Sequence, residues 1–264
     1  MARVYSFGPR DGFPNKLEGP AFLYENIDHK QLWLIDAPVH VNLMMREIDL
    51  SVMDLTAVLL THLHNDHVGG LIDLIQLRMI CLNKTDLMRQ AGYCNKIATQ
   101  VLPIYVFGYQ VDWWQAIEKL IDMNCPNEWG DWRKYHKMVF IDKNIDKGTV
   151  FVNGIHVGYR RTKHAVACCG LKIDHTVAIS GDTPYDCEHV NWLVVNVKKV
   201  YHEAGFAGSH TLIGDLEKID KAHENVSFYH LPYPVIEIVE AKKLHVAQKG
   251  WLEFNIFPDF GEDD

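Results

Sequence analysis

Short apolar runs separated by Gly, Pro, Asn and Asp recur along the chain and predict many short strands. The predicted strands cover residues 3–7, 21–25, 31–35, 55–60, 103–108, 149–152, 155–159, 171–173, 176–179, 197–202 and 226–230. Apolar positions at helical spacing predict helices over residues 39–46, 71–100, 113–123, 188–195 and 212–223. Asp112 is expected to cap the third of these helices. The chain thus has two halves in which strands precede helices, and residues 232–264 receive no assignment.

Two hairpins are predicted from their turn residues. Asn153-Gly154 lies between two predicted strands and is the strongest short hairpin signal. Asp174-His175 is expected to join the next two strands in the same way. Residues 124–136 are aromatic and irregular. They predict either a lid or partner surface, or a loop whose aromatic side chains pack on the core.

The densest group of polar side chains follows the apolar run 55–60. It supplies four potential metal ligands within six residues, namely His62, His64, Asp66 and His67. Alternate side chains of an extended segment share a face, so the first two histidines point the same way. Asp66 and His67 come after a turn and face a second point. Gly69-Gly70 then allows a tight turn before the next helix. This arrangement suits two neighbouring metal ions.

A purely structural role is the alternative for these residues. A lone histidine is usually a surface residue or a hydrogen-bonded core residue. Three histidines and an aspartate next to an apolar run are harder to explain, because burying such groups without partners costs several kcal/mol. Metal coordination removes that cost, and we therefore favour a metal site.

Length and composition are those of an ordinary globular protein. The chain has 264 residues, is 48% hydrophobic and 23% charged, and carries a net charge of −8. We expect one domain, residues 1–264. The acidic balance disfavours nucleic-acid polymers, which demand a basic surface. No apolar run is long enough to span a membrane and no signal-peptide core follows Met1, so we expect a cytoplasmic protein with its six cysteines reduced.

The segment His62-x-His64-x-Asp66-His67 resembles the signature of the metallo-β-lactamase superfamily. The resemblance covers roughly residues 18–232 and implies an α/β fold, a four-layer αβ/βα sandwich. By position it also implies three further ligands, which are His164, Asp182 and His230. One ion then takes His62, His64 and His164, the other takes Asp66, His67 and His230, and Asp182 bridges the two.

Each implied ligand has a simpler alternative. His164 would otherwise be one of the many histidines that bind no metal. His230 would be a strand-end residue at the surface, and Asp182 a turn residue after Gly181. In the superfamily an Asp placed like Asp36 braces a metal-binding His, but a turn residue before Pro38 fits that position equally well. Apart from His202 and His210, the other histidines of the chain fit no ligand position. They are His29, His40, His136, His156, His175, His189, His223 and His245.

The segment His202-Glu203-Ala204 resembles that of the ribonuclease Z branch, with Gly205 in place of Thr. In that branch a Glu and a downstream His form the proton-donating pair, which the resemblance assigns to Glu203 and His210. The alternative for His210 is a surface residue near a helix cap. Only seventeen residues separate His164 from Asp182, so the long basic arm of the tRNA processors does not fit. The chain most resembles the anti-Pycsar cyclic-nucleotide phosphodiesterases of phages.

The resemblance implies hydrolysis of 3′,5′-cyclic nucleotides (cCMP, cUMP, cAMP or cGMP) to nucleoside 5′-monophosphates, which counters antiviral signalling. Asp66 would orient the attacking hydroxide, and His210, steadied by Glu203, would protonate the leaving oxygen. We expect two divalent ions, with Zn²⁺ favoured and Mn²⁺ or Fe²⁺ also compatible. Aromatic residues such as Trp129 or Trp132 are candidates for stacking on the base, within the chain or across a dimer, although no sequence pattern shows this.

Two classes of alternative function are open. Another hydrolase on the same metals, such as a lactonase, thioesterase or ribonuclease Z-like nuclease, shares the first motif. A binding protein that sequesters a nucleotide without cleaving it is the second. For partners we expect a small cyclic nucleotide and a homodimer, with no nucleic-acid polymer and no membrane, in the host cytoplasm if a phage encodes the chain.

Overall fold

The computed structural model describes residues 1–11, 17–92, 101–125, 130–142, 144–205 and 208–254. Its strands are β1 (Ala2–Ser6), β2 (Phe22–Asn26), β3 (Gln31–Ile35), β4 (Ala57–Leu60), β5 (Leu102–Val106), β6 (His136–Phe140), β7 (Lys147–Val152), β8 (Ile155–Arg161), β9 (Cys169–Ile173), β10 (Val177–Ile179), β11 (Lys199–Glu203), β12 (Val226–Tyr229) and β13 (Gly250–Phe254). Its helices are α1 (Val41–Arg46), α2 (Asn65–Val68), α3 (Leu71–Asn83), α4 (Thr85–Gln90), α5 (Val111–Asn124), α6 (Cys187–Val194), α7 (Ile213–Ala222) and α8 (Tyr233–Ala241).

The strands form two mixed sheets. The first has the order β13-β1-β2-β3-β4-β5-β6, and the second has the order β12-β11-β10-β9-β8-β7. In the first sheet β3 to β6 run parallel, and in the second β10 to β12 run parallel. None of the helices in the described ranges is both long and apolar enough to cross a membrane.

Alternation along the strands produces the layers. In β4, Ala57 and Leu59 belong to a core cluster that includes residues of both sheets. Val58 and Leu60 belong to a second cluster, which joins the outer face of the first sheet to α1, α3 and α5. A third cluster joins the outer face of the second sheet to α6, α7 and α8. Because side chains alternate faces with a period of two, each sheet is buried on both sides. The predicted four-layer αβ/βα sandwich is confirmed.

Most predicted elements are present with shifted ends. Both hairpins form, and the Asn153-Gly154 and Asp174-His175 turns have positive φ angles at all four residues. The predicted helix over 71–100 is two helices, α3 and α4, and residues 93–100 lie outside the described ranges. Asp112 is not a cap, because α5 begins at Val111, two residues earlier than predicted, and Asp112 lies in its first turn. The unassigned tail supplies α8 and also β13, which pairs with β1.

The aromatic segment contains a correction. Trp132 is 2% exposed, and its indole Nε1 donates to Asp122 at 2.8 Å from within a short 3₁₀ turn, Trp132–Lys134. Packing against the core is therefore the correct alternative for Trp132, and stacking of Trp132 on a base is wrong. Trp129 lies outside the described residues. Cys125, Cys168, Cys169 and Cys187 form no disulfide bond among the described residues.

Parallel strands bring the polar side chains together. Asp36 follows β3, His62 follows β4, Asp182 follows β10, and His230 follows β12. The carboxyl ends of parallel strands meet at one edge of a sheet, and both sheets present this edge to the same side. Side chains that are distant in sequence therefore converge.

Candidate metal centre

Four side chains point their ligand atoms at one place, which we call the first set. They are His62, His64, His164 and Asp182. His64 Nδ1 lies 3.1 Å from His62 Nε2 and 3.2 Å from His164 Nε2. Asp182 Oδ2 lies 3.6 Å from His62 Nε2 and 3.9 Å from His164 Nε2. Three imidazole nitrogens and one carboxylate oxygen so arranged match the donors of a tetrahedral zinc site.

The other ring nitrogen of His62 and of His164 is hydrogen-bonded to the protein. His62 Nδ1 lies 3.1 Å from Thr61 Oγ1, which itself donates to Asp36 Oδ2 at 2.8 Å. Because the hydroxyl hydrogen is used on Asp36, Thr61 accepts from His62, and the lone pair of His62 is on Nε2. His164 Nδ1 lies 3.0 Å from the Ser209 carbonyl, which leaves its Nε2 lone pair toward the first set. Hydrogen bonds of this kind fix the tautomer of metal-binding histidines.

A second set contains Asp66, His67 and His230. His230 Nε2 lies 3.0 Å from Asp66 Oδ2, and His67 Nε2 lies 3.8 Å from the same oxygen. Asp182 reaches this set as well, since its Oδ1 is 3.4 Å from His67 Nε2 and its Oδ2 is 3.8 Å from His230 Nε2. One carboxylate therefore stands between the two sets, in the position of a bridging ligand.

Asp36 orients the second set from behind. Its Oδ2 accepts from His67 Nδ1 at 2.8 Å, so that the other nitrogen of His67 faces Asp66 and Asp182. Its Oδ1 accepts from the Thr61 backbone N–H at 2.8 Å. The φ angle of Asp36 is 59°, a left-handed conformation that Asp adopts more readily than most residues. Asp36 is thus both a turn residue and the brace that the superfamily pattern implies.

The backbone between the motif and α3 approaches α1 closely. Gly69 and Gly70 have right-handed φ angles of −60° and −87°, so a left-handed turn is not what requires glycine here. A Cβ atom on Gly70 would lie 2.2 Å from the Pro38 carbonyl oxygen. Glycine is needed for this close contact. The contact positions the short helix α2, which carries the ligands Asp66 and His67.

Three buried polar atoms of the centre have no hydrogen-bond partner among the described residues. They are His230 Nδ1, His67 Nε2 and Asp182 Oδ1, and the last two face each other at 3.4 Å. Leaving such groups unpaired in the interior is costly. A divalent cation accepts electron pairs from His67 Nε2 and Asp182 Oδ1, so these residues fit a metal better than they fit a purely structural cluster.

The protonation tendencies of the two sets differ. Burial holds the pKa of His62 well below its ordinary value and also lowers the pKa of His64 and His164. A lowered pKa favours the neutral imidazole, which is the form that binds metals. At Asp182, which reaches both sets, burial raises the pKa, but the surrounding histidines outweigh burial and hold that pKa well below its usual range. Burial lowers the pKa of His230, but Asp182 and Asp66 outweigh it and raise the pKa to about 10. Asp182 and Asp66 thus favour a positive charge in the second set, next to His230.

Glu203 and His210 form a pair beside the second set. His210 Nδ1 lies 3.1 Å from Glu203 Oε2, and the two rings of His210 and His230 stack with centroids 5.5 Å apart. Glu203 is fully buried, and its Oε1 accepts from the backbone N–H groups of Thr183 and Thr211. Burial raises the pKa of Glu203. Burial lowers the pKa of His210, but Glu203 and Asp182 outweigh it and raise that pKa.

The glycine at position 205, where the ribonuclease Z branch has Thr, also has a structural reason. A Cβ atom on Gly205 would lie 3.0 Å from both Cβ and Cγ of His210. The glycine backbone N–H donates to the Thr211 carbonyl at 3.0 Å, which closes the loop that carries His210. Glycine therefore lets this loop fold tightly enough for His210 to reach Glu203.

The structure brings together all seven side chains that the sequence singled out as ligands, and it places Glu203 and His210 beside them. The eight histidines that fit no ligand position belong to no such cluster within the described ranges.

Two residues that contribute to the site were missed in the sequence. Thr61 precedes His62 at a strand end, and its hydroxyl was an available signal. Trp113 lies 49 positions from His64, and no local sequence pattern predicts their contact.

Replacing Asp36 by Asn is expected to weaken metal binding roughly 10- to 100-fold, because His67 and Thr61 lose the carboxylate that orients the ligands. Competition with a chromogenic chelator measures this affinity. Asp49→Asn is the matched control, since Asp49 is exposed and has nearly the same φ angle, 58°. Equal metal affinity in both variants would show that Asp36 does not brace the centre.

Comparison with known proteins supports the superfamily assignment. The model of a family described as "Anti-Pycsar protein Apyc1" matches residues 13–243. Among curated proteins, no sequence matches significantly.

Several solved structures share the fold across their whole length. The metallo-β-lactamase fold protein YhfI from Bacillus subtilis is 17% identical with a TM-score of 0.71, and the alignment covers 96% of this chain and 100% of YhfI. Human tRNase Z, short form, is 15% identical with a TM-score of 0.64, covering 96% and 100%. A diphosphatase from the PhnP family is 14% identical with a TM-score of 0.67, covering 97% and 99%. Since the family model spans most of the sequence, the chain belongs to the anti-Pycsar Apyc1 family and has the metallo-β-lactamase fold.

Proposed function

We propose that the chain is a metal-dependent phosphodiesterase that hydrolyses 3′,5′-cyclic nucleotides to nucleoside 5′-monophosphates. The observation that carries this proposal is the shared carboxylate of Asp182, which stands between two ligand sets with the Glu203–His210 pair beside it. Family membership supports a metal-dependent hydrolase, and the description "anti-Pycsar" supports removal of an antiviral signal as its role.

Two divalent ions fit the centre. The first set would hold one ion through three imidazoles, and the second set would hold the other through Asp66, His67 and His230, with Asp182 between them. Nitrogen and carboxylate donors suit Zn²⁺, and they also accept Mn²⁺ or Fe²⁺. Bound in this way, such ions supply Lewis acidity and lower the pKa of water.

The side chains of the protein provide the proton transfer. In the hydrolysis water adds to phosphorus, the bond between phosphorus and the ribose O3′ breaks, and O3′ takes up a proton. We assign that proton to His210 Nε2, because Nδ1 of the same ring is hydrogen-bonded to Glu203. Asp66 is 25% exposed whereas Asp182 is 1% exposed. Asp66 is therefore the carboxylate that entering water can reach and by which it can be oriented.

The size of the substrate follows from the short link between His164 and Asp182. That link contains the hairpin of β9 and β10, which is paired within the second sheet, and it has no protruding arm. Together with the net charge of −8, this favours a small phosphodiester over a tRNA polymer.

The proposal is tested by incubating metal-loaded protein with cCMP, cUMP, cAMP and cGMP and separating the products. We expect nucleoside 5′-monophosphates from at least one of the four. Parallel reactions with an acyl-homoserine lactone, a thioester and a tRNA precursor test the alternative hydrolases. If none of the cyclic nucleotides is cleaved while one of the other substrates is, or if calorimetry shows binding with intact nucleotide recovered, the proposal is wrong.

A further inference from the structure

A pocket of about 590 Å³ opens beside the first set. His164 lines the pocket and also belongs to the first set, so the pocket borders the metal cluster. Trp113, in the first turn of α5, lines the same pocket, and its ring centroid lies 5.5 Å from that of His64. The volume falls in the range of small-molecule sites, roughly 300–1,000 Å³.

Trp113 is unusually exposed for its size, at 41%. Its neighbour Trp114 is 4% exposed and packs edge-on against Phe140 with ring centroids 5.3 Å apart. Trp114 therefore attaches this turn of α5 to the core, while Trp113 points away from the core and toward the ligand histidines. An exposed indole held at a fixed place beside a metal cluster is suited to stacking on a flat ligand.

Four of the remaining lining residues are apolar, namely Val111, Ala165, Val166 and Ala167. The other six are polar, namely Tyr109, Gln110, Asp112, Asn144, Arg161 and Thr162. Such groups complement the donors and acceptors on the edge of a heteroaromatic base, and they make a poor surface for the acyl chain of a lactone or thioester.

We propose that this pocket is the nucleobase subsite of the centre, with the face of Trp113 as the stacking surface. The inference rests on the proposed function and adds the residue that distinguishes a nucleotide from a base-free phosphodiester. In a cyclic nucleotide a single ribose separates the phosphate from the base. Trp113 is adjacent to the first set, because its ring centroid lies 5.5 Å from that of His64, so a base stacked on it would lie close to the phosphate.

The test compares Trp113→Ala and Trp113→Phe with the unchanged protein. Leu120→Ala is the matched control, because Leu120 is a comparably exposed apolar residue of α5 that does not line the pocket. The substrates are cCMP, cGMP and methyl β-ribofuranoside 3,5-cyclic phosphate, which keeps the phosphodiester and lacks a base. Calorimetry with CMP and GMP on the metal-loaded proteins supplies a readout that does not depend on turnover.

For Trp113→Ala we expect KM for both cyclic nucleotides and Kd for both monophosphates to rise about 5- to 150-fold. This is the loss of affinity that removing one base–aromatic stacking contact usually causes. We expect kcat to change little. Trp113→Phe should recover most of the loss, and KM for the base-free compound should stay the same in every variant. An equal effect on the base-free compound, or no effect on nucleotides, would overturn the subsite while leaving the phosphodiesterase proposal intact. If the unchanged protein cleaves no cyclic nucleotide, the function fails, and the monophosphate Kd values alone decide the subsite.

Discussion

Asp182→Asn is expected to abolish hydrolysis and to remove metal from both sets. Asp182 lies within 3.9 Å of His62, His67, His164 and His230, and among the described side chains it is the carboxylate placed between the two sets. The amide keeps the size of the side chain but loses the negative charge that a divalent cation requires. We expect kcat/KM to fall on the order of 10³-fold or more, because the preorganised charge of the centre is lost. Elemental analysis of the purified variant measures the metal content directly.

A nearby aspartate provides the control for Asp182. Asp186 accepts from the Glu188 backbone N–H at the start of α6 and pairs with Lys163, and asparagine caps a helix as well as aspartate does. Asp186→Asn should therefore retain both metal and activity. Circular dichroism of both variants separates loss of metal from loss of fold. Should Asp182→Asn keep two ions and normal turnover, the bridging assignment is wrong.

His210→Gln is expected to lower kcat for cyclic nucleotides by about 10²–10⁴-fold with metal content unchanged. The reason is that glutamine cannot deliver the proton that the ribose O3′ needs as it leaves. A phosphodiester that releases 4-nitrophenolate needs no proton on its leaving group, so its hydrolysis should be affected far less. Steady-state kinetics on the two substrates measure this difference.

The same variant also tests a competing role. His210 belongs to a group with Asp182, Glu203 and His230 whose ligand atoms lie within 4.8 Å of one another, so His210 could instead be a metal ligand. In that case His210→Gln would lose an ion and would slow both substrates equally. His29→Gln is the control, because His29 is exposed and its side chain lies in no metal-ligand group of the described residues.

The local part of the fold was predictable because it depends on local pattern. The run before His62 is a strand buried on both faces, and such strands are short apolar stretches in any context. The hairpin at Asn153-Gly154 depends on two residues that accept positive φ angles. In the same way, four of the seven ligand positions fall within six consecutive residues.

Contacts between distant parts of the chain were not predictable from such patterns. The strand β13 pairs with β1 across nearly the whole sequence, with Ala2 opposite Phe254, and its own residues alternate only weakly. The Trp113–His64 contact depends on how α5 packs on the first sheet. The expectation for Trp132 failed for the same reason, since its burial is decided by α5 and Asp122 and not by the aromatic composition of its loop.

The central claim is that two neighbouring cations occupy the place where these seven side chains meet. A crystal structure of the metal-loaded protein with anomalous scattering recorded at the metal edge tests it most directly. We predict two anomalous peaks, one bound by His62, His64 and His164 and the other by Asp66, His67 and His230, with Asp182 touching both. A single peak, no peak, or ions bound elsewhere while these side chains stay unliganded would contradict the account.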